Sequence, residues 1–242
     1  MEKLPAKITP DNLKDAMVEF HYLSDIPQEI IAGQVYQILQ DKFKIMPRQL
    51  NAWQLGREEP LRIEMSGLHL TDGCVKIQLS EQSILFNIIQ GYPGWTEMSG
   101  CVFEVMERLL VSGCFKAVVR IGIRYISEYP GMSIFEVLQS APALALPFWK
   151  GHNTTYRTEI SYENCSVLLT LADQMEKKEI PASDLTSFSL VDIVVFQPFR
   201  DEPVSNLKRL SETTNRLHDI EKKMFFGILN PAFIHSLQPE FS

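Results

Sequence analysis

In residues 15–23, DAMVEFHYL, apolar and polar side chains alternate. Ala16, Val18, Phe20 and Tyr22 fall on one face, and Met17, Glu19, His21 and Leu23 on the other. A period of two specifies a strand with one face buried. The period then lengthens. In SDIPQEIIAGQVYQILQDKF, Ile30, Ile31, Val35, Ile38, Leu39 and Phe43 recur at helical spacing, which predicts an amphipathic helix packed on the sheet. Pro27 belongs to its first turn and Asp25 is its candidate cap. Three short strands are expected next, in LRIEMSGLHL, CVKIQLS and SILFNII, with the TDG at 71–73 turning the first into the second. GYPGW at 91–95 breaks the chain. TEMSGCVFEVMERLLVSG is then a helix whose Met98, Val102, Val105 and Leu109 face inward and whose Gly113 ends it.

The order then begins again. KAVVRIGIRYI is a strand, and its VVRIGIRYI can be laid on DAMVEFHYL with Tyr125 over Tyr22. MSIFEVLQSAP gives a shorter helix, and the proline-rich APALALPFWKG takes the place of the polar stretch around Trp53. Three strands are expected in TTYRTEISYE, CSVLLTLAD and TSFSLVDIVVFQ. A long helix follows from about Ser205 to Leu229, bounded by Pro203 and Pro231. The pattern predicts an α+β fold of two pseudo-repeated β-α-β-β-β-α units. Together they form an extended antiparallel sheet with helices mainly on one face. Residues 1–14 read as a loose lead-in, 15–114 as the first unit and 115–242 as the second, within one domain.

Composition narrows the function classes. The net charge of −7 argues against a large nonspecific nucleic-acid footprint. Cys74, Cys101, Cys114 and Cys165 are scattered with no Cys-x-x-Cys pair, which suits a reducing cytoplasm rather than zinc or redox chemistry. No apolar run reaches the ~20 residues that a bilayer crossing needs. The N-terminus lacks the apolar core of a signal peptide, so a soluble cytoplasmic protein is expected. The sequons at Asn153 and Asn164 are then chance matches.

AMVEFHYL, PQEIIAGQVYQILQDKF, LFNIIQGYPGWTEM, RIGIRYIS, LVDIVVF and LHDIEKKMFFGIL follow one another along the chain. In that order they resemble a sporadically distributed bacterial family for which no activity is established. AMVEFHYL is similar to the family's opening AxxEFRF strand, and PQEIIAGQVYQILQDKF to its pxexxxGxxxxxLxxxF helix. LFNIIQGYPGWTEM resembles FN…YPxWeeF, RIGIRYIS resembles RxGLRYIN, LVDIVVF resembles LDIDVF, and LHDIEKKMFFGIL resembles a terminal LHxxxxxxFxxxL helix. His21 stands where the family shows arginine, and Val194 where it often shows a second aspartate. The resemblance implies a bacterial protein and a fold, and it brings no cofactor.

Candidate chemistry concentrates in the embedded charges. Arg120 and Arg124 share a strand face, roughly 13 Å apart, with Gly122 leaving room between them. Glu19 and His21 occupy the matching face of the first strand, and Asp192 interrupts an apolar strand where it needs a partner. A polar ladder pairing these charges across the sheet explains all five. The alternative is a surface that binds an anionic small molecule or a nucleic-acid end, since the arginine fork suits phosphate and carboxylate. No Gly-x-Ser-x-Gly, phosphate loop or His-x-x-x-His is present, so catalytic residues, metal and cofactor are all expected to be none.

On the last helix, Leu207, Leu210, Thr214, Leu217, Ile220, Met224 and Ile228 form a stripe widened by Phe225 and Phe226. The other face carries Lys208, Arg209, Arg216, Lys222 and Lys223 against Glu212, Asp219 and Glu221, with His218 among them. About 25 residues span roughly 37 Å, more than a short-stranded sheet needs, so Leu217, Met224, Phe225 and Phe226 are candidate interface residues. The first expectation is therefore a non-enzymatic accessory or regulatory protein, from a mobile or defence-related locus, that binds a protein partner or forms a homodimer. The anion-binding module ranks second. A hydrolase built on Glu19, His21 and Asp192 ranks third.

Overall fold

The computed structural model describes residues 4–5, 7–46, 67–89, 91–139, 154–178, 185–199 and 202–241. Trp53, Trp149, the proline-rich segment and the start of the strand expected at 61–70 lie outside them. Among the described residues the fold is mixed α and β, with nine strands in one antiparallel sheet and five helices. In chain order the first half holds β1 (Leu13–Leu23), α1 (Gln28–Leu39), β2 (Lys44–Ile45), β3 (Leu68–Thr71), β4 (Val75–Leu79), β5 (Ser83–Ile88) and α2 (Trp95–Val111). The second holds β6 (Ala117–Pro130), α3 (Ile134–Val137), β7 (Thr154–Tyr162), β8 (Cys165–Lys178), β9 (Leu185–Pro198), α4 (Leu207–Ile228) and α5 (Pro231–Ser236). The sheet order is β2-β3-β4-β5-β1-β6-β9-β8-β7. The chain divides into two units: Val18–Arg120 with Phe199–Leu210, and Met1–Met17 with Ile121–Pro198 and Ser211–Ser242.

In the unit containing residues 18–120, the alternation of β1 resolves as expected. Val18, Phe20 and Tyr22 are buried, while Glu19 and His21 are not. Phe20 meets Phe86 of β5 edge-on, and Tyr22 stacks on Phe115 with ring centroids 3.8 Å apart. Each fully buried side chain of this size contributes about 1.5–3 kcal/mol. The Tyr22 hydroxyl donates to Ser80 O at 3.2 Å, so the stack keeps a polar anchor. α1 packs against α2 and β3 and buries Ile31, Val35 and Leu39. Ile30, expected on the same face, is 52% exposed, because one residue of offset turns it ~100° away from Ile31.

The start of α1 also differs from expectation. Pro27 occupies the position before the first helical residue and no side chain caps the helix. Asp25 instead pairs with Lys116 at 2.9 Å. The β3–β4 turn forms as predicted. Gly73 has φ +101°, and Asp72 Oδ1 accepts from the backbone N–H of Cys74 and Val75 at 2.9 and 2.8 Å. α2 buries Met98, Val102, Val105 and Leu109, and Gly113 follows its end at φ +77°.

In the other unit, β6 buries Ile121, Ile123, Tyr125, Ser127 and Tyr129, while Arg124 on the alternate face is half-buried. β7, β8 and β9 pair antiparallel, with one irregularity in β8 between Ala172 and Met175. Gln174 sits there at φ +51°. α3 is a single turn with a full capping box: Ser133 Oγ accepts from Phe135 N–H, and Glu136 Oε2 accepts from Ser133 N–H at 2.9 Å. α4 buries Thr214, Leu217 and Ile220. Pro231 begins α5 rather than merely ending the long helix, and its Phe233 meets Tyr129 edge-on at 5.5 Å.

Candidate functional site

Arg124 and Asp192 project from neighbouring strands and meet. Arg124 Nε donates to Asp192 Oδ1 at 2.9 Å and Nη2 donates to Oδ2 at 2.8 Å, a two-pronged fork on a carboxylate. β6 and β9 are adjacent in the sheet, which puts the two interruptions of apolar strands side by side. The Asp192 carboxylate holds the guanidinium above its already high range, with burial opposing and Asp15 adding a smaller pull. The Asp192 side chain is 12% exposed and the Arg124 side chain 43%, so one end of the pair reaches water. This is the partner that an aspartate inside SLVDIVVF required.

Glu19 and His21 lie two residues apart on the same face of β1. His21 Nε2 approaches Glu19 Oε2 to 3.1 Å, but without hydrogen-bond geometry. Both side chains are about one-third exposed. Arg120 is half-buried on β6. Glu19, His21 and Arg120 belong to one unit of the chain, and Arg124 and Asp192 to the other.

α4 carries two groups whose setting the charge pattern does not suggest. His218 Nδ1 lies 3.3 Å from the Tyr125 hydroxyl, and burial lowers His218 to about 4, so the ring is neutral at pH 7. Glu221 is 5% exposed, and desolvation pushes its carboxyl up to about 8. The solvated face expected for Glu221 is thus corrected. It follows Leu217 by four residues and precedes Met224 by three, so helical geometry puts it on the apolar stripe. Of the candidate interface residues, Leu217 is fully buried. Met224, Phe225 and Phe226 are half-buried, the two phenylalanines edge-on at 5.2 Å.

Two arrangements escape sequence reasoning. The first is a buried polar knot. Asp173 Oδ1 accepts from Ser133 Oγ at 3.0 Å and from Ile134 N–H at 2.7 Å, and lies 3.1 Å from Ser189 Oγ. Ser189 Oγ in turn reaches Met132 O at 2.6 Å. The second is β7, last strand of the sheet among the described residues. Its residues are exposed on both faces save half-buried Thr158, and Tyr156, Ile160 and Tyr162 are 36–41% exposed. The alternation in TTYRTEISYE identifies a strand but not its place at an edge.

Burial pushes the Cys101 thiol up to about 11 and raises Cys165 as well, so neither is poised as a nucleophile. Among the described residues no group of three or more His, Cys, Asp or Glu is placed to hold a metal ion. None of the described helices is long and apolar enough to cross a membrane. No family model matches the chain, and no curated protein matches it.

Proposed function

We propose that this chain is a non-enzymatic, cytoplasmic bacterial accessory protein that acts by protein–protein interaction. The observation that carries the reading is β7: a nine-residue strand at the end of the sheet, with apolar and charged side chains both exposed. Among the described residues no strand pairs with its outer side, and an edge of this kind offers backbone groups to another strand. Met224, Phe225 and Phe226 at the end of α4 offer a second, smaller patch. The resemblance to a sporadically distributed bacterial family supports the bacterial setting and a mobile or defence-related locus. The strand order supports reading the fold as a duplication. Outward from β1 it runs β5, β4, β3, and outward from β6 it runs β9, β8, β7.

The test combines light scattering of the purified chain with capture on the immobilised chain from bacterial lysate. A protein that stays monomeric and retains nothing overturns the proposal. A second reading, an anion held by Arg120 and Arg124, draws support from the partial exposure of the Arg124 fork. Asp192 competes directly for that fork, which ranks the anion reading below interaction.

A further inference from the structure

We infer that the partner at β7 is a second copy of this chain, joined through antiparallel pairing of the two β7 strands about Thr158. The inference rests on the interaction reading above and specifies its surface, occupant and register.

The strand Thr154–Tyr162 reads TTYRTEISY. When two copies run antiparallel with Thr158 opposite Thr158, each residue faces the one equally far on the other side of the centre. Arg157 then faces Glu159 of the second copy, and Glu159 faces its Arg157. Tyr156 faces Ile160, and Thr155 faces Ser161. Both charges therefore meet an opposite charge, and each aromatic ring meets a β-branched side chain. These are the favourable directly opposed pairs of antiparallel sheets. A twofold axis produces each contact twice, as a closed, self-complementary interface requires.

The register also sorts the two faces. Tyr156, Thr158 and Ile160 lie opposite Leu171, Leu169 and Val167 of β8, on the side where β8 is buried. Arg157 and Glu159 lie opposite Thr170 and Leu168, on the alternate side. Pairing two copies would continue the apolar side across the axis and confine the charges to the other. Edge strands that avoid association carry proline, lysine and other like charges, a bulge or an inward-pointing charge, whereas the two charges of β7 are of opposite sign. β7 has no proline, and its pairing with β8 runs without a register shift from Thr154 to Tyr162. Nine residues per copy make a small contact, so the association depends on concentration.

The experiment is sedimentation velocity of the whole chain from about 1 to 200 µM, with Arg157→Glu, Glu159→Arg and the double exchange. Both positions are exposed, so the variants should keep the wild-type melting temperature. The wild type is expected to dimerise. Each single exchange sets like charges opposite each other twice and should weaken the dimer by about tenfold or more. The double exchange should restore it. An equimolar mixture of the two single variants should form a heterodimer, because each then supplies the charge the other lacks.

A dimer indifferent to these exchanges would overturn the β7 inference while leaving the interaction reading intact. So would a monomeric chain that captures a partner which Thr158→Pro releases. A monomer that captures nothing would sink both.

Discussion

On α4, Glu221 lies three residues after His218, and burial drives the two groups in opposite directions, Glu221 up to about 8 and His218 down to about 4. Both are held neutral near pH 7, and each makes folding depend on pH with a different sign. The protonated Glu221 is favoured in the folded chain. Its contribution is complete below the ordinary carboxylate value of 4.5 and is lost as pH rises towards 8. His218 resists protonation. Its contribution is complete above 6.5 and is lost as pH falls towards 4.

Between 4.5 and 6.5 the two slopes cancel, and above 6.5 only the loss from Glu221 remains. Stability should therefore fall from pH 6.5 to 8, by an upper bound of about 2 kcal/mol. That is equivalent to a melting temperature lowered by about 4–8 °C. Glu221→Gln should remove most of this decline. Melting curves of both proteins at the two pH values check it, and an equal decline in each would show that Glu221 is not its source.

The Arg124–Asp192 fork predicts how the competing anion reading fails. If Asp192 is the resident partner, Asp192→Ala leaves a half-buried guanidinium uncompensated. It should destabilise the chain by about 1–3 kcal/mol, the partial exposure of Arg124 keeping the loss below that of a fully buried pair. Inorganic phosphate at millimolar concentration should not raise the melting temperature of the wild type but should partly rescue Asp192→Ala, by occupying the vacated fork. Thermal melts with and without phosphate decide this. A wild type stabilised by phosphate, with the effect lost in Arg124→Ala, would favour an anion site.

What could be read in the sequence follows from what each signal depends on. The alternation of β1 and the stripe of α2 are local, set by which face is buried, and Phe20, Met98 and Val105 fall where the pattern puts them. Arg124 and Asp192 are visible as charges in apolar strands, but their pairing needs β6 and β9 as neighbours, a fact of topology 68 residues apart in sequence. The edge position of β7 is likewise topological. Glu221 is different. Its spacing from Leu217 and Met224 carries the signal, because angle around the helix rather than charge decides which face a residue takes. The Asp173 knot gave no signal, because an aspartate ending an apolar run is also how a turn begins.

Gly67 predicts a sharp local sensitivity. Its φ is +99°, and a Cβ there would collide with Leu79 O. Both the backbone conformation and the close approach demand glycine, since Leu68 pairs with Leu79 in the β3–β4 ladder. Gly67→Ala should cost about 2 kcal/mol or more, through steric displacement of the β3 end and residual strain. Urea unfolding measures it. A loss below about 0.5 kcal/mol would mean that the strand end shifts without resistance.

Asp173 Oδ1 joins β8 to the N-terminus of α3, accepting from Ser133 Oγ and from Ile134 N–H, and it lies beside Ser189 Oγ of β9, whose one proton goes to the closer Met132 O. The carboxylate sits where β8 departs from regular register, beside Gln174 in a left-handed conformation. A β-bulge leaves backbone groups without ladder partners; here the Ser189 hydroxyl serves the bulge, while Asp173 serves the first turn of α3. Ser189 Oγ extends the tie by accepting from Gln174 N–H at 3.3 Å and donating to Met132 O. Asp173→Ala strands the buried Ile134 N–H and takes the acceptor from Ser133 Oγ, which should cost about 2–4 kcal/mol. Asp173→Asn retains an acceptor oxygen in the same place and should cost less, about 1–2 kcal/mol. Equilibrium urea unfolding of the two variants separates these values, and hydrogen exchange at Ile134 should accelerate in the alanine variant first. Equal losses for asparagine and alanine would show that the charge, rather than the acceptor, holds the knot together.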